Sequence, residues 1–155
     1  MYTEYQPSHL LAPYIDNYWE FKGNPEYGMR IHILPDGCTD FIFTLGEVAN
    51  AVEEGSLIMQ PYRSYFVGPM TKYSELVTYT ESIHMFGVRF LPCGLSCFTN
   101  LPLHEFVNSR VSTNEMKAVF DDTFIEKLGE QKHVTDRIRV VEEYLLAYLA
   151  RHYQP

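Results

Sequence analysis

Apolar residues in the first 92 positions of the chain fall into short runs that are separated by turn residues. Runs of this kind between Gly, Pro, Asn and Asp clusters are typical of β-strands. Seven of them are present, at 18–21, 29–34, 39–45, 57–59, 65–68, 76–80 and 83–90. The turn residues at 35–37 and 81–82 predict that 29–34 with 39–45, and 76–80 with 83–90, form hairpins. The pattern predicts a β-sandwich or barrel.

Other stretches have the period of a helix. Before the first strand, apolar side chains at steps of three and four predict a short helix that ends near 14–16. These side chains are Leu10, Leu11, Tyr14, Ile15 and Tyr18. After Pro92 the helical period returns, with one or two turns predicted at 94–99. Ser112 and Glu115 have the spacing of a capping box, and they predict a helix that ends near Gly129.

The last helix is predicted from Thr135 or Asp136, as its N-cap, to about Arg151. Its apolar residues recur at steps of four and three, as at the a and d positions of a coiled coil. These residues are Val134, Ile138, Val141, Leu145 and Tyr148. Either this stripe packs on the chain's own sheet, or part of it contacts the same helix of a second copy. In the second case the dimer contact consists of Ile138, Val141, Leu145 and Tyr148.

Length, composition and charge narrow the classes of protein to which the chain can belong. Its 155 residues, of which 46% are apolar, suffice for one domain with its own core, and 15% aromatic residues favour a β-rich core. We therefore expect a single α+β domain over 1–155, with a β part at 1–92 and a helical part at 93–155. The net charge of −8 argues against direct contact with nucleic acid.

The sequence also bears on the compartment. No apolar run reaches the roughly 18 residues that are needed to span a bilayer. The N-terminal residues lack the basic and apolar regions of a signal peptide. The chain has three Cys, an odd number that is typical of reduced thiols when they lie beside apolar runs. We expect a cytoplasmic protein without membrane contact.

The common motifs of catalysis are absent from this sequence. It has no Gly-x-Ser-x-Gly elbow, no P-loop and no Gly-x-Gly-x-x-Gly fingerprint. Cys93 and Cys97 form an isolated C-x₃-C, which is a weak signal for redox or metal chemistry. His32 and His84 each stand alone in an apolar run, so singly hydrogen-bonded histidines are favoured over a metal site that joins them with Asp40. We predict no enzymatic activity, no cofactor and no bound metal.

A small-molecule pocket remains, since such pockets are mainly apolar with a few fixed polar groups. Asp40 lies in a run that should be half-buried, where a carboxylate needs a partner, and Arg89 is the first candidate. These two residues are either a structural ion pair or a clamp for a ligand. Trp19, the one Trp of the chain, either belongs to the core or lines the pocket. The candidate ligand-binding residues are Trp19, Arg30, His32, Asp40 and Arg89.

Four segments carry a further signal. They are Tyr-Ile-Asp-Asn-Tyr-Trp at 14–19, Leu-Pro-Asp-Gly-Cys-Thr-Asp-Phe-Ile-Phe at 34–43, Phe-Val-Gly-Pro at 66–69 and Phe-Gly-Val-Arg-Phe-Leu-Pro-Cys-Gly-Leu at 86–95. Together they resemble the N-terminal domain in one branch of AraC-family transcriptional regulators. The last segment is similar to that branch's Gly-Val-Arg-Phe-x-Pro-Gly-Gly, with Cys93 where a Gly is usual.

This resemblance implies a fold and a function. The fold is a cupin-like β-barrel, or a double-stranded sandwich of about seven short strands, followed by two to three C-terminal helices. The function is that of the ligand-sensing and dimerisation domain of an AraC-type bacterial regulator. Its expected partners are an unidentified small-molecule effector and a second copy, bound through the last helix.

The resemblance also implies a C-terminal DNA-binding domain with two helix-turn-helix units, for which these 155 residues contain no recognition helix. We therefore expect DNA contact to lie outside this chain. Two alternatives stay open. One is a small cupin-type enzyme, and the other is a protein-interaction domain that has no pocket and uses the final helix alone.

Overall fold

A computed structural model describes residues 2–23, 30–33, 38–45, 51–53, 58–59, 63–68, 74–78, 83–92, 94–99, 110–112 and 120–152. Within these ranges the chain forms ten strands, one 3₁₀ turn and two helices. The strands are β1 (Tyr2–Tyr5), β2 (Ile15–Gly23), β3 (Arg30–Ile33), β4 (Thr39–Leu45), β5 (Ala51–Glu53), β6 (Ile58–Met59), β7 (Ser64–Val67), β8 (Ser74–Thr78), β9 (Ile83–Phe90) and β10 (Arg110–Ser112). The 3₁₀ turn is Leu95–Cys97, and the helices are α1 (Asp122–Gly129) and α2 (Val134–His152).

The strands form two antiparallel sheets. The large sheet has the order β1-β2-β9-β4-β7-β10, and the small sheet has the order β3-β8-β5-β6. The predicted α+β class with C-terminal helices is confirmed. The predicted closed barrel is wrong, because the described strands leave the large sheet open, with β1 and β10 at its edges. The predicted number of about seven strands is also too low, since β1, β5 and β10 were not expected.

Both predicted hairpins are wrong, because the two strands of each pair belong to different sheets. β3 pairs with β8, whereas β4 pairs with β7 and β9. β8 pairs with β3 and β5, whereas β9 pairs with β2 and β4. A turn sequence favours a reversal of the chain, but the sheet that the next strand joins depends on contacts far away in sequence. The turn residues themselves lie outside the described ranges.

The predicted N-terminal helix is also wrong. Residues 9–14 form consecutive turns, in which two backbone N–H groups donate to the carbonyl oxygen of Ser8 and two donate to that of Leu11, at 2.9 to 3.1 Å. Pro13 has no N–H group with which to continue a helical ladder. The segment therefore reverses direction and enters β2.

A β-bulge in β2 explains why the apolar spacing in this region resembles that of a helix. Ile15 and Asn17 lie two residues apart, yet the register of β2 on β9 shifts between them. The extra residue turns Asn17 to the opposite face from Ile15. Ile15 and Tyr18 consequently point into the same core although they are three residues apart.

The helical period after Pro92 predicts α1 and α2, but it misplaces the start of α1. Ser112 belongs to β10, which pairs with β7, so it is not a helix cap. Asp121 caps α1 instead, and its carboxylate accepts a hydrogen bond from the backbone N–H of Phe124 at 2.8 Å. Glu115, the other half of the predicted capping box, lies outside the described ranges. The last helix covers its predicted span, but it begins at Val134, so the predicted N-cap residues Thr135 and Asp136 lie inside the helix.

The helices pack on one face of the large sheet, which we call the helix face. Its core is dominated by aromatic rings, with centroid distances such as 4.9 Å for Phe41 with Phe120 and 5.6 Å for Phe43 with Phe120. Aromatic rings in such edge-to-face contacts stabilise a core beyond the area that they bury.

The apolar stripe of α2 packs into this same core. Val141 and Leu145 have no exposed surface, and Ile138 and Tyr148 are partly buried against the core. Of the two interpretations of the stripe, packing on the chain's own sheet is the one that the structure shows. Val141 and Leu145 are therefore not available as a dimer contact.

Candidate functional site

The opposite side of the large sheet, which we call the polar face, carries the alternate residues of each strand. On β4, Asp40, Ile42 and Thr44 belong to the polar face, between residues of the helix face. All three are buried, at 8%, 4% and 2% exposure, yet none belongs to the core beneath the helices. Buried polar side chains are costly unless they are paired, so their partners indicate what this face does.

Three polar residues share one row across neighbouring strands of the polar face. Asn17 of β2 lies opposite Arg89 of β9, and Arg89 lies opposite Asp40 of β4. The Arg89 Nε group donates to both carboxylate oxygens of Asp40, at 3.2 and 3.4 Å. The side chains of Arg89 and Asp40 are 24% and 11% exposed. The partner that the sequence suggested for Asp40 is thus the partner in the structure.

Trp19 joins this pair. Its indole Nε1 donates to Asp40 Oδ1 at 3.2 Å, and the residue is only 7% exposed. The indole lies so close to Gly87 of β9 that a Cβ atom at that position would overlap it. Glycine inside a strand often marks such a close approach. Trp19, Asp40 and Arg89 therefore form one contact group, here called the Trp19–Asp40–Arg89 cluster.

Asn17 is the residue of this row with unsatisfied hydrogen-bonding capacity. Its Nδ2 group donates to Asp16 Oδ2 at 2.6 Å, which fixes the orientation of the amide. Its Oδ1 atom is buried and accepts no hydrogen bond, and the residue is 3% exposed. A buried acceptor without a partner costs about 1–3 kcal/mol. A donor that reaches Asn17 Oδ1 would recover that energy.

Tyr2 lies where the cluster meets solvent. Its ring centroid is 6.0 Å from that of Trp19, and the residue is 46% exposed. Its hydroxyl donates to Glu4 Oε1 at 3.1 Å. Partial burial raises the pKa of the Tyr2 phenol to about 12, although the positive charge of Arg89 opposes this rise. Tyr2 therefore presents a neutral hydroxyl beside the cluster at neutral pH.

The other two predicted ligand-binding residues belong to the small sheet. β3 places Arg30 opposite Val77 and His32 opposite Glu75 of β8. The side chains of Arg30 and His32 lie outside the described part of the structure, as does Cys93. Their participation in a site stays a prediction.

The sequence left open a metal site formed by His32, His84 and Asp40. This alternative is wrong, because His84 belongs to the helix face. Its Nε2 atom hydrogen-bonds to Glu20 Oε2 at 2.9 Å, and Arg137 donates to the same oxygen at 3.4 Å. Asp40 lies on the other side of the sheet, so His84 and Asp40 cannot bind one metal ion together with His32. The described residues contain no group of three or more side chains placed to hold a metal ion.

A groove of about 610 Å³ opens between the end of β4 and α1. It is lined by Phe43, Thr44, Leu45, Arg63, Asp122, Ile125, Glu126, Leu128, Gly129 and Glu130. No residue of the Trp19–Asp40–Arg89 cluster lines it, and neither does Asn17. The groove and the cluster are therefore separate features.

Together, the fold and the cluster define an α+β protein whose open antiparallel sheet buries an ion pair on one face and packs two helices on the other. The chain belongs to the family described as Domain of unknown function (DUF6597), whose model matches residues 3–112. The match includes the whole cluster and Asn17, and it ends before α1. No curated protein matches the chain significantly. Neither described helix has the length and apolarity that crossing a membrane requires.

Sequence reasoning missed Asn17, Gly87 and Tyr2. Gly87 carries a usable signal, because an isolated Gly in an apolar strand indicates a close backbone approach. Tyr2 carries none, since β1 is too short to be recognised by alternation. Asn17 lies next to the predicted first strand, but only the bulge beside it sets the face to which it points.

Proposed function

We propose that this chain is a small-molecule-sensing domain, and that the polar face of the large sheet binds the effector. The observation that carries the proposal is the unpaired Oδ1 atom of Asn17 in the same row as the Arg89–Asp40 pair. An ion pair, an indole donor and a vacant acceptor on one buried face are more than a stable core requires. They match the few fixed polar groups of a ligand site.

The chemistry of the face indicates how an effector is held. A hydroxyl or amino group of the effector donates to Asn17 Oδ1. The Trp19 indole and the Tyr2 ring supply flat apolar contact, and Arg89 supplies a partly exposed positive charge.

The sequence resemblance extends the proposal to an AraC-type transcriptional regulator. In this view the two sheets pack as a cupin-like sandwich around the effector, and DNA binding resides in a separate domain, in agreement with the net charge of −8. A second copy contacts the outer side of α2, since Val141 and Leu145 are occupied by the core. The exposed residues on that side include Arg139, Glu143, Ala147 and Ala150.

A titration tests the binding part. Because Trp19 is the one Trp of the chain, the tryptophan fluorescence comes from a single probe on the polar face. A panel of hydroxyl- and amino-bearing metabolites is titrated against the chain, and hits are confirmed by calorimetry. Asn17→Leu, which removes the acceptor at similar volume, is expected to weaken a hit about tenfold, as the loss of roughly 1.4 kcal/mol implies.

Lys127→Gln is the matched control, because Lys127 is exposed on α1 and lies outside both the polar face and the proposed dimer contact. Its affinity for a hit should equal that of the unchanged chain. A hit that binds Asn17→Leu and the unchanged chain equally well would contradict the proposed site. Sedimentation at several concentrations tests the dimer.

An interaction domain without a pocket is the second candidate function. It is favoured by the low exposure of Trp19 and by its close packing on Gly87, which leave little of the indole open. The same titration separates the two. A chain that self-associates through α2 but whose Trp19 fluorescence responds to no metabolite is an interaction domain.

A further inference from the structure

We propose that β2 links the polar face to α2, so that an effector on the polar face changes how α2 is held. Successive residues of a strand project to opposite faces of the sheet. Asn17 and Trp19 accordingly belong to the polar face, while Tyr18 and Glu20 belong to the helix face. The role of an effector in this inference rests on the function proposed above, whereas the link itself needs no ligand.

Tyr18 makes the first attachment to α2. Its hydroxyl donates to Glu142 Oε2 at 3.0 Å, and the backbone N–H of Ser8 donates to the same oxygen at 2.8 Å. Tyr18 has no exposed surface, and its ring stacks on Phe86 with 6.4 Å between centroids. One carboxylate oxygen of α2 thus ties together the helix, β2 and the turn before β2.

Glu20 makes the second attachment. Its Oε2 atom accepts a hydrogen bond from Arg137 Nη1 at 3.4 Å, and Arg137 Nη2 donates to the backbone oxygen of Gln131 at 2.9 Å. Arg137 is 5% exposed, so its charge depends on these acceptors. The attachment joins β2 to the first turn of α2 and to the residues before that helix.

The two attachments act together because both start on β2 and both end on α2. The Tyr18–Glu142 and Glu20–Arg137 hydrogen bonds are present at once in the structure. A displacement of β2 relative to α2 therefore strains both.

A buried polar atom without a hydrogen-bond partner lies at each of the three places that β2 connects, which are the polar face and the two attachments to α2. Ser8 Oγ at the first attachment and Arg137 Nε at the second are buried and unpaired, as is Asn17 Oδ1 on the polar face. A shifted arrangement of β2 and α2 that pairs these atoms has hydrogen bonds to gain. Two arrangements of similar free energy are what a switch needs.

The single Trp makes the link measurable without a ligand. A chain labelled with ¹⁵N gives one indole N–H resonance, that of Trp19, whose proton is hydrogen-bonded to Asp40. Glu142→Gln, on α2, is expected to shift this resonance by several line widths. Lys127→Gln, an exposed change on the neighbouring helix α1 and outside the proposed dimer contact, should leave it in place.

The pathway is tested by repeating Glu142→Gln in a Tyr18→Phe background. If Tyr18 carries the link, the second change shifts the Trp19 resonance no further. The proposal is overturned if Glu142→Gln leaves the Trp19 resonance unmoved. It is also overturned if Glu142→Gln causes the same shift in the unchanged chain and in Tyr18→Phe. Should Glu142→Gln fail to fold, Glu142→Asp keeps the charge, retracts the carboxylate from Tyr18, and carries the same expectations.

The two proposals fail separately. A resonance that responds to Glu142→Gln in a chain that binds no metabolite supports the link and contradicts the proposed sensing function. A chain that binds an effector at Asn17 while its indole resonance ignores Glu142→Gln retains the sensing function and loses the link.

Discussion

On the helix face of the large sheet, Phe41, Phe43 and Phe86 pack against rings and aliphatic side chains of the C-terminal helices. On the polar face of the same two strands, Asp40 and Arg89 form an ion pair that Trp19 joins. Both faces are buried, but the first consists of interchangeable apolar contacts and the second of specific polar pairs. The helix face therefore contributes stability, and the polar face carries the groups for which we propose recognition.

The strand β9 allows the two faces to be compared at adjacent residues, Phe86 and Met85. Phe86 has no exposed surface and contacts the rings of Tyr18 and Phe43, whereas Met85, on the polar face, is 3% exposed. Phe86→Ala should lower the free energy of unfolding by about 4 kcal/mol, and Met85→Ala by about 2 kcal/mol, because the larger ring leaves the larger cavity. Urea unfolding measures both. Equal losses would mean that the polar face is a second dry core.

The polar pair is broken by Asp40→Ala. This change removes the carboxylate that accepts from Arg89 Nε and from the Trp19 N–H group, and it should cost about 1–3 kcal/mol in urea unfolding. Asp136→Ala breaks the exposed pair with Arg139 and should cost less than about 0.5 kcal/mol. If the two losses were similar, the Asp40 pair would be no more than a surface ion pair.

Alkaline pH should weaken the helix face through Tyr18. Burial, and then the charge of Glu142, raise the pKa of Tyr18, so folding favours its neutral form. The stability that neutral Tyr18 contributes is complete below the pKa of tyrosine in the unfolded chain, which is about 10. Above that pH the free energy of unfolding falls by about 1.4 kcal/mol per pH unit. Urea unfolding between pH 9 and about 11.5 measures the slope. Tyr18→Phe should have a shallower slope over that range, and an identical slope would contradict this cause.

The smallest expected effect is at the start of α1. Asp121→Ala removes the cap on the N–H of Phe124 and should cost about 1 kcal/mol, with a small loss of helical circular dichroism. Asp122→Ala, in the first turn, should cost only a few tenths of a kcal/mol, about what the helix dipole contributes. Both changes lie on the helix side, so Trp19 fluorescence should not respond. A response would show that the two faces are not independent at this end of the sheet.

Several features followed from the sequence because their causes are local. The seven predicted strands are all present near their expected positions, since apolar runs between turn residues report burial directly. The apolar stripe of α2 follows from helical periodicity, which left open whether the stripe packs on the chain's own core or on a second copy. The pairing of Asp40 with Arg89 followed from a charge rule, because a carboxylate in an apolar strand requires a nearby cation.

Tertiary contacts decided the rest. The turn after β3 favoured a reversal, but contacts with β7 and β9 placed β4 in the other sheet. A single bulge placed Asn17 beside Arg89 and left its oxygen unpaired, and no local pattern encodes that position. Periodicity shows which residues are buried. Pairings between residues far apart in the chain decide which strands are neighbours and which side chains share a face of the sheet.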